Sequence, residues 1–242
     1  MKKLAVVCVI FLGFTAVKAD DYVYKVDLIR AAPDRLLDLI ELLKKDLDNY
    51  SNYGIQQPFM MRHSQGDHWD LLVIWPIESM ATYFDESNVS KREESVFLNK
   101  PYDNIIWDYI SFHEELFVTG PDQETFNQMF TDYNYYHVEI FMALAGKRRE
   151  LLKERIMEND YLVGIGKRPN LIFNKIAGGQ WDNFSIGFYN DILDYASSPE
   201  IEAIEKEKIA RDAGFEGTDY IGSYLRRFIL KHHDTLAGAV RP

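Results

Sequence analysis

The chain of 242 residues has one cysteine, Cys8, and it lies inside a short apolar run near the N-terminus. Removal of that run as a leader would leave no thiol. Disulfides, thiolate nucleophiles and cysteine-ligated metals are then excluded together. Long apolar runs are also lacking: the stretch Leu4–Phe14 is too short to cross a bilayer as a resident helix. Positive charge is scarce. Lys and Arg number 27 against 38 Asp and Glu, a net charge of −11. That balance argues against nucleic acid or an anionic membrane surface as a partner. Catalytic signatures are missing too: no Ser-His-Asp order, paired-carboxylate spacing or metal-ligand motif stands out. Gly164-Ile165-Gly166-Lys167 lacks the strand before and the helix after that a phosphate loop requires, so it reads as the turn ahead of a strand.

What the N-terminus does have is the composition of a secretory signal. Lys2 and Lys3 form a positive start, Leu4–Phe14 an apolar run, and Val17-Lys18-Ala19 a small-residue cleavage site. Cleavage is expected between Ala19 and Asp20. Because Cys8 lies mid-run, the pattern is not that of a lipoprotein. The expectation is an exported protein, periplasmic or extracellular, with no membrane contact after signal cleavage. Losing Lys2, Lys3 and Lys18 leaves 24 basic against 38 acidic residues, a net charge of −14.

With 47% hydrophobic and 14% aromatic residues, the rest can bury a core. Shifting the chain by 112 residues against itself aligns 22–83 with 134–195 without a gap. Tyr24 meets Tyr136, Val26 meets Val138, Asp27 meets Glu139 and Ala31 meets Ala143. Gly66-Asp67-His68-Trp69-Asp70 meets Gly178-Gly179-Gln180-Trp181-Asp182. Each copy reads alike. Residues 22–30 alternate as a strand. Pro33-Asp34 opens a helix whose Leu36, Leu39, Ile40, Leu43 and Leu47 share one face. Phe59–His63 and Trp69–Trp75 flank a hairpin turn at Gln65-Gly66-Asp67, a helical stretch follows Pro76, and a fourth strand covers 105–118. In the second copy, Ser198-Pro199 starts the later helix, Gly214 ends it, and the last strand is expected from Tyr220 to about Lys231. Residues 123–133, with Phe126, Met129 and Phe130, read as a short connecting helix packed on a neighbour.

The order strand, helix, strand, strand, helix, strand, taken twice, predicts an α+β fold of two tandem ferredoxin-like βαββαβ domains with antiparallel sheets. The expected divisions are a signal peptide over 1–19, a first domain over 20–118, a linker over 119–133 and a second domain over 134–242. On element order and repetition, the chain resembles the dimeric α+β-barrel superfamily in its single-chain, duplicated form. The resemblance covers about residues 22–235. It implies a pseudo-dimeric barrel with its helices outside. Families sharing the architecture it implies include small quinol or polyketide monooxygenases, haem-degrading enzymes, chlorite dismutase-like haem proteins, dye-decolourising peroxidases and proteins with no known activity. The chlorite dismutase-like group is nearest in plan. Its haem pattern is missing, since no histidine of the second copy sits in a proximal motif followed by a matching distal arginine.

Features shared by both copies point to scaffold, and the Trp69-Asp70 and Trp181-Asp182 pairs fall there. Asp27 and Glu139 are shared but lie mid-strand, where an acid needs a partner. Alternation puts His137, Glu139 and Phe141 on one face. If that face lines the barrel, His137 serves as general base or metal ligand and Glu139 orients it; otherwise the two form a satisfied or solvent-facing pair. His232 and His233 are adjacent and point to opposite faces, so a site there needs a third residue such as His113; a solvated chain end is the alternative. His63 and His68 are expected at an exposed turn. Arg226 and Arg227 are placed on the last strand, where one must face inward and meet either Glu139 or a ligand carboxylate. Arg226, Arg227 and Asp27 are therefore the candidate ligand-binding residues. The leading expectation is an exported barrel that binds a small apolar or aromatic molecule in an internal cavity, with monooxygenase-type activity as its chemistry. The alternatives are a haem-binding redox protein with His137, His113 or His233 as axial ligand, and an interaction module whose barrel is filled by its own side chains.

Overall fold

The structure is a computed structural model and describes residues 22–50, 52, 54–94 and 106–241. The expected signal peptide, with Cys8, lies outside the described residues. The first half comprises β1 (Tyr22–Ala31), α1 (Leu36–Tyr50), β2 (Phe59–Gln65), β3 (Leu71–Glu78), α2 (Met80–Phe84), α3 (Glu86–Glu94), a 3-10 turn (Ile106–Tyr109) and β4 (Ile110–Gly120). After α4 (Gln123–Asp132) come β5 (Tyr135–Ala143), α5 (Arg148–Gly164), β6 (Leu171–Gly178), β7 (Asn183–Tyr189), α6 (Ile192–Ala196), α7 (Ala203–Asp212), α8 (Ile221–Leu225) and β8 (Ile229–Val240).

All the strand pairs are antiparallel, and the strands close into one barrel in the order β1-β3-β2-β8-β5-β7-β6-β4. Each half keeps the ferredoxin-like order. The β2–β8 and β4–β6 seams join the halves, so among the described residues no sheet edge is left open.

Alternation along the strands sorts residues between two environments. Tyr24, Val26 and Leu28 of β1 and Tyr136, Val138 and Ile140 of β5 face the interior, within one buried cluster fed by strands of both halves. Ile29 and Ala31 face outward, where α1 covers them with Leu39, Ile40, Leu43 and Leu47. The interior is full. Phe126 and Phe130 of α4 enter the barrel, and Phe126 lies 4.0 Å from Phe59, 5.6 Å from Tyr24 and 5.4 Å from Phe173, centroid to centroid. Phe173 stacks on Phe184 at 4.4 Å. The internal cavity expected from the sequence is thus occupied by the protein's own rings.

The shared Trp-Asp pairs sit at matching places. Trp69 and Trp181 are buried in the interior cluster. Asp70 Oδ2 accepts the Ala31 N–H at 2.8 Å, and Asp182 Oδ2 accepts the Ala143 N–H at 3.0 Å. Each carboxylate ties the entry of a β-hairpin strand to the end of the half's first strand.

The C-terminal expectation needs correction. Residues 221–225 are helical, and the last strand starts at Ile229 instead of Tyr220. Ile221 and Tyr224 pack with Met157, Ala210 and Phe215, while Leu225 and Phe228 pack with Phe141 and Leu151. That three-and-four spacing belongs to a helix. Arg226 and Arg227 therefore precede the strand and are exposed, with Arg227 3.8 Å from the equally exposed Glu216. Neither faces the barrel interior or Glu139. The helix expected from Ser198-Pro199 begins later, at Ala203, and ends before Gly214 at φ 99°.

Candidate functional site

On the outer face of the first half, a polar cluster lies beneath the helical layer. The β1–β4 register places Asp27 opposite Glu115 and Ile29 opposite His113; the β1–β3 register places Lys25 opposite Trp75. Asp27 is only 4% exposed. Its carboxylate accepts bonds from Lys25 Nζ at 2.9 Å and Trp75 Nε1 at 2.7 Å, and His113 Nε2 lies at 2.8 Å. Burial alone would raise its pKa, but Lys25 and His113 outweigh that and hold it at about 2. Burial alone would lower the Lys25 pKa, yet Asp27 and Glu115, the latter 2.9 Å away, raise it. Lys25 is therefore a fixed cation, unsuited to act as a base.

Above this cluster opens a cleft of about 230 Å³. Lys25 and Trp75 stand at its sheet side, Tyr22, Ile55 and Ile77 along its walls, and Tyr83 with Arg92 at the α2–α3 side. The Arg92 guanidinium stacks 3.8 Å from the Tyr83 ring centre.

The second half has a cleft of about 250 Å³ lined by residues that include Gly166, Lys167, Arg168, Phe188, Tyr189 and Asp194. These stand 112 positions after Gly54, Ile55, Gln56, Pro76, Ile77 and Thr82 of the first cleft. The contents differ. Arg168 bonds Asp194 at 2.6 Å and stacks over Tyr133 at 4.5 Å. Where the first half has Trp75 the second has Gly187, and a Cβ there would meet the Tyr189 ring at 3.0 Å. The two clefts are of similar size, but in the second the cation Arg168 is held by Asp194 and Tyr133 at the wall, while the first reaches Lys25 and Trp75 on the sheet.

His137 and Glu139 sit on the outer face of β5, beneath α5, and do not line the barrel. His137 Nε2 is 3.5 Å from Asp234 Oδ1, and Glu139 accepts from Ser185 Oγ at 3.1 Å. Burial alone would lower the His137 pKa, but Asp234 and Glu139 raise it. The α5 helix supplies what its sequence pattern had not suggested. Glu154 and Arg155 are buried at 0% and 3% exposure. Arg155 bonds Glu154 at 2.7 and 2.9 Å, and lies 3.6 Å from Glu139. It also meets Glu158 at 2.5 Å in an ionic contact not aligned as a hydrogen bond. Three acids thus share one arginine. Burial, reinforced by Glu139 and Glu154, pushes the Glu158 pKa up to about 7 despite Arg155.

The proposed haem ligands are scattered. His113 lies under Trp107 and is bonded to Asp27; His137 is on the other half; His233 meets Asp67 at 2.5 Å at the barrel mouth. Neither of the two clefts described above is lined by a histidine, whereas two larger depressions are, one by His63 and one by His68 with His233. The depression beside His233 is lined otherwise by Gly66, Asp67, His68 and Asp234, polar walls that do not fit the apolar faces of a haem.

Lys25, Trp75, Tyr83 and Arg92 were not candidates from sequence. Lys25 shares the Asp27 face by alternation, so that signal was present. Comparing the two first helices would have found Arg155, because it stands where α1 has Leu43.

No protein-family model and no curated protein matches this chain. Solved structures do resemble it. An anthrone oxidase-like protein superposes with a TM-score of 0.60 at 9% identity, over 91% of this chain and 92% of that one. A candidate monooxygenase from Lactobacillus acidophilus NCFM gives 0.50 at 7% identity, over 91% and 95%. A candidate monooxygenase from Fusobacterium nucleatum gives 0.50 at 11% identity, over 90% and 92%. At such identities the likeness is one of fold. The chain has the dimeric α+β-barrel fold.

Proposed function

We propose that this protein binds a small, planar aromatic molecule carrying an acidic oxygen, in the outer cleft of the first half. The observation that carries the reading is the contrast between the two clefts. They occupy corresponding places and are similar in size, yet in one the cation Arg168 is taken up by Asp194 and Tyr133, whereas the other runs between Tyr22, Tyr83 and Trp75 to the ammonium of Lys25. Aromatic walls favour a flat apolar body, and a fixed cation favours an oxygen anion at its end. At about 230 Å³ the cleft suits a two- or three-ring compound. The Glu115 side chain is 43% exposed and is the partner of Lys25 that a ligand oxygen can displace. A filled barrel is what the interaction-module alternative expects, and the open outer cleft is what favours a ligand.

Monooxygenase-type chemistry is the activity to assay. Dioxygen would be the oxidant: an activated ring methylene becomes a carbonyl, one oxygen atom enters the product and the other leaves as water. Anthrone, whose ring methylene loses a proton to give an enolate oxygen anion, is the first probe. Titrating it into the protein should quench tryptophan fluorescence, and Glu115→Gln should tighten binding by removing the competing carboxylate. An unchanged affinity in Glu115→Gln, together with undiminished binding in Tyr83→Ala, would sink the site. Oxygen uptake with anthrone reports the reaction separately.

The reading includes export and the duplication. The mature chain begins at Asp20, and residues 20–118 and 134–242 descend from one unit. Intact-mass measurement of protein secreted by an expressing host tests the first. A mass retaining residues 1–19 counts against it.

A further inference from the structure

At one mouth of the barrel, the β2–β3 turn crosses onto β8 and brings together Asp67, His68 and His233. Asp67 Oδ1 lies 2.6 Å from His68 Nδ1 and 2.5 Å from His233 Nδ1, and it accepts the His68 backbone N–H at 2.7 Å. The Asp67 side chain is 1% exposed, and its second oxygen is buried without a hydrogen-bond partner among the described residues. A buried carboxylate oxygen left unpaired is costly, and the cost is relieved by a cation.

Three ligand atoms, one from each residue, lie within 4.8 Å of one another. Two imidazoles and one carboxylate make a donor set suited to borderline divalent ions. His68 and His233 are 41% and 22% exposed and border an open depression, which leaves coordination positions for water. Rigidity favours the arrangement. Gly66 adopts φ 128°, and a Cβ there would fall 2.2 Å from the Asp234 carbonyl oxygen, so the turn is pressed against β8. The His233 ring packs on Trp181 at 5.0 Å and the His68 ring on Phe112 at 4.9 Å.

Two other clusters of acids and histidines compare poorly. Lys25 stands 2.9 Å from both Asp27 and Glu115, and Arg155 stands 3.6 Å from Glu139. An incoming dication would meet a permanent positive charge at each. At Asp67 the ionic partners among the described residues are the two histidines, whose charge is optional.

We propose that Asp67, His68 and His233 form a binding site for a divalent transition ion of the zinc class, clasping the β2–β3 turn of one half to β8 of the other. The test uses Zn²⁺ alone with the purified chain, by equilibrium dialysis and metal analysis. One Zn²⁺ per chain is expected, with binding at least tenfold weaker in His68→Gln or His233→Gln and lost in the double variant. Thermal stability should rise on adding Zn²⁺ to the unsubstituted protein only. Should the double variant not fold, histidine carbethoxylation of the unsubstituted protein, read by mass spectrometry, decides the matter: Zn²⁺ should protect His68 and His233. No stoichiometric uptake, uptake undiminished in a folded double variant, or protection confined to His113, His137 or His232 would overturn the assignment.

Discussion

Asp27 and Glu158 are both carboxyls under a helical layer, and their surroundings drive them in opposite directions. Asp27 has three donors around it, including an ammonium, and its pKa falls to about 2. A depressed native pKa means that the unfolded chain binds more protons between about pH 4 and about pH 2. The stability from this group is therefore present above about pH 4 and is lost as the pH falls through about 2. Asp27→Asn should cost roughly 2–3 kcal/mol at neutral pH and flatten that acid limb, as read by urea unfolding across the range. An unchanged limb would show that the ion pair contributes nothing. Glu158 has the reverse sign. With a native pKa of about 7, the folded state keeps a proton that the unfolded chain has released, so stability falls as pH rises from about 4.5 to about 7. Glu158→Gln should raise stability by about 1–3 kcal/mol at pH 8 and change little at pH 4. A loss of stability at pH 8 would mean that Arg155 needs all three acids.

Among the elements, α4 is the one whose role changed most between sequence and structure. Phe126, Met129 and Phe130 mark a helix packed on a neighbour, and a helix is found at Gln123–Asp132. Periodicity cannot say which neighbour. The neighbour proves to be the barrel interior, where Phe126 is fully buried against rings from β1, β2 and β6. Phe126→Ala should cost about 3–5 kcal/mol in denaturant unfolding, the range for a large ring removed from a packed core. A cost below about 1 kcal/mol would indicate a loosely filled barrel. The C-terminal segment shows the opposite failure. Ile221, Tyr224, Leu225 and Phe228 have helical spacing, but they sit among β-favouring residues and a pair of arginines. The sequence reads as a strand there because the packing partners Met157 and Leu151 are distant along the chain.

For the whole molecule, closure is the decisive property. Each half alone would expose the strand edges that form the β2–β8 and β4–β6 seams. Unpaired edges recruit other chains. Residues 134–241 expressed alone should therefore self-associate, and a dimer by sedimentation is expected, with the β6 edge of one copy on the β8 edge of the next. A stable, folded monomer of that fragment would show that each sheet tolerates its open edges. Among the described residues no helix is long and apolar enough to cross a membrane.

The sequence by itself determined the element order, the alternation that separates two faces of each strand and the positions 112 apart that match. These depend on local propensity and on periods of two and 3.6, which are written in neighbouring residues. Tertiary structure alone decided which face is the inside. Tyr24 and Asp27 are three residues apart on one strand, yet one meets Phe126 in the barrel and the other meets His113 under the helices. Alternation states that two faces exist, and only closure of the barrel assigns one of them to the interior. For the same reason His137 and Glu139 moved from the expected cavity to the covered outer face, and Asp67 met His233 across 166 positions of chain. Long-range pairing is carried by the seams between the halves, and no local pattern encodes it.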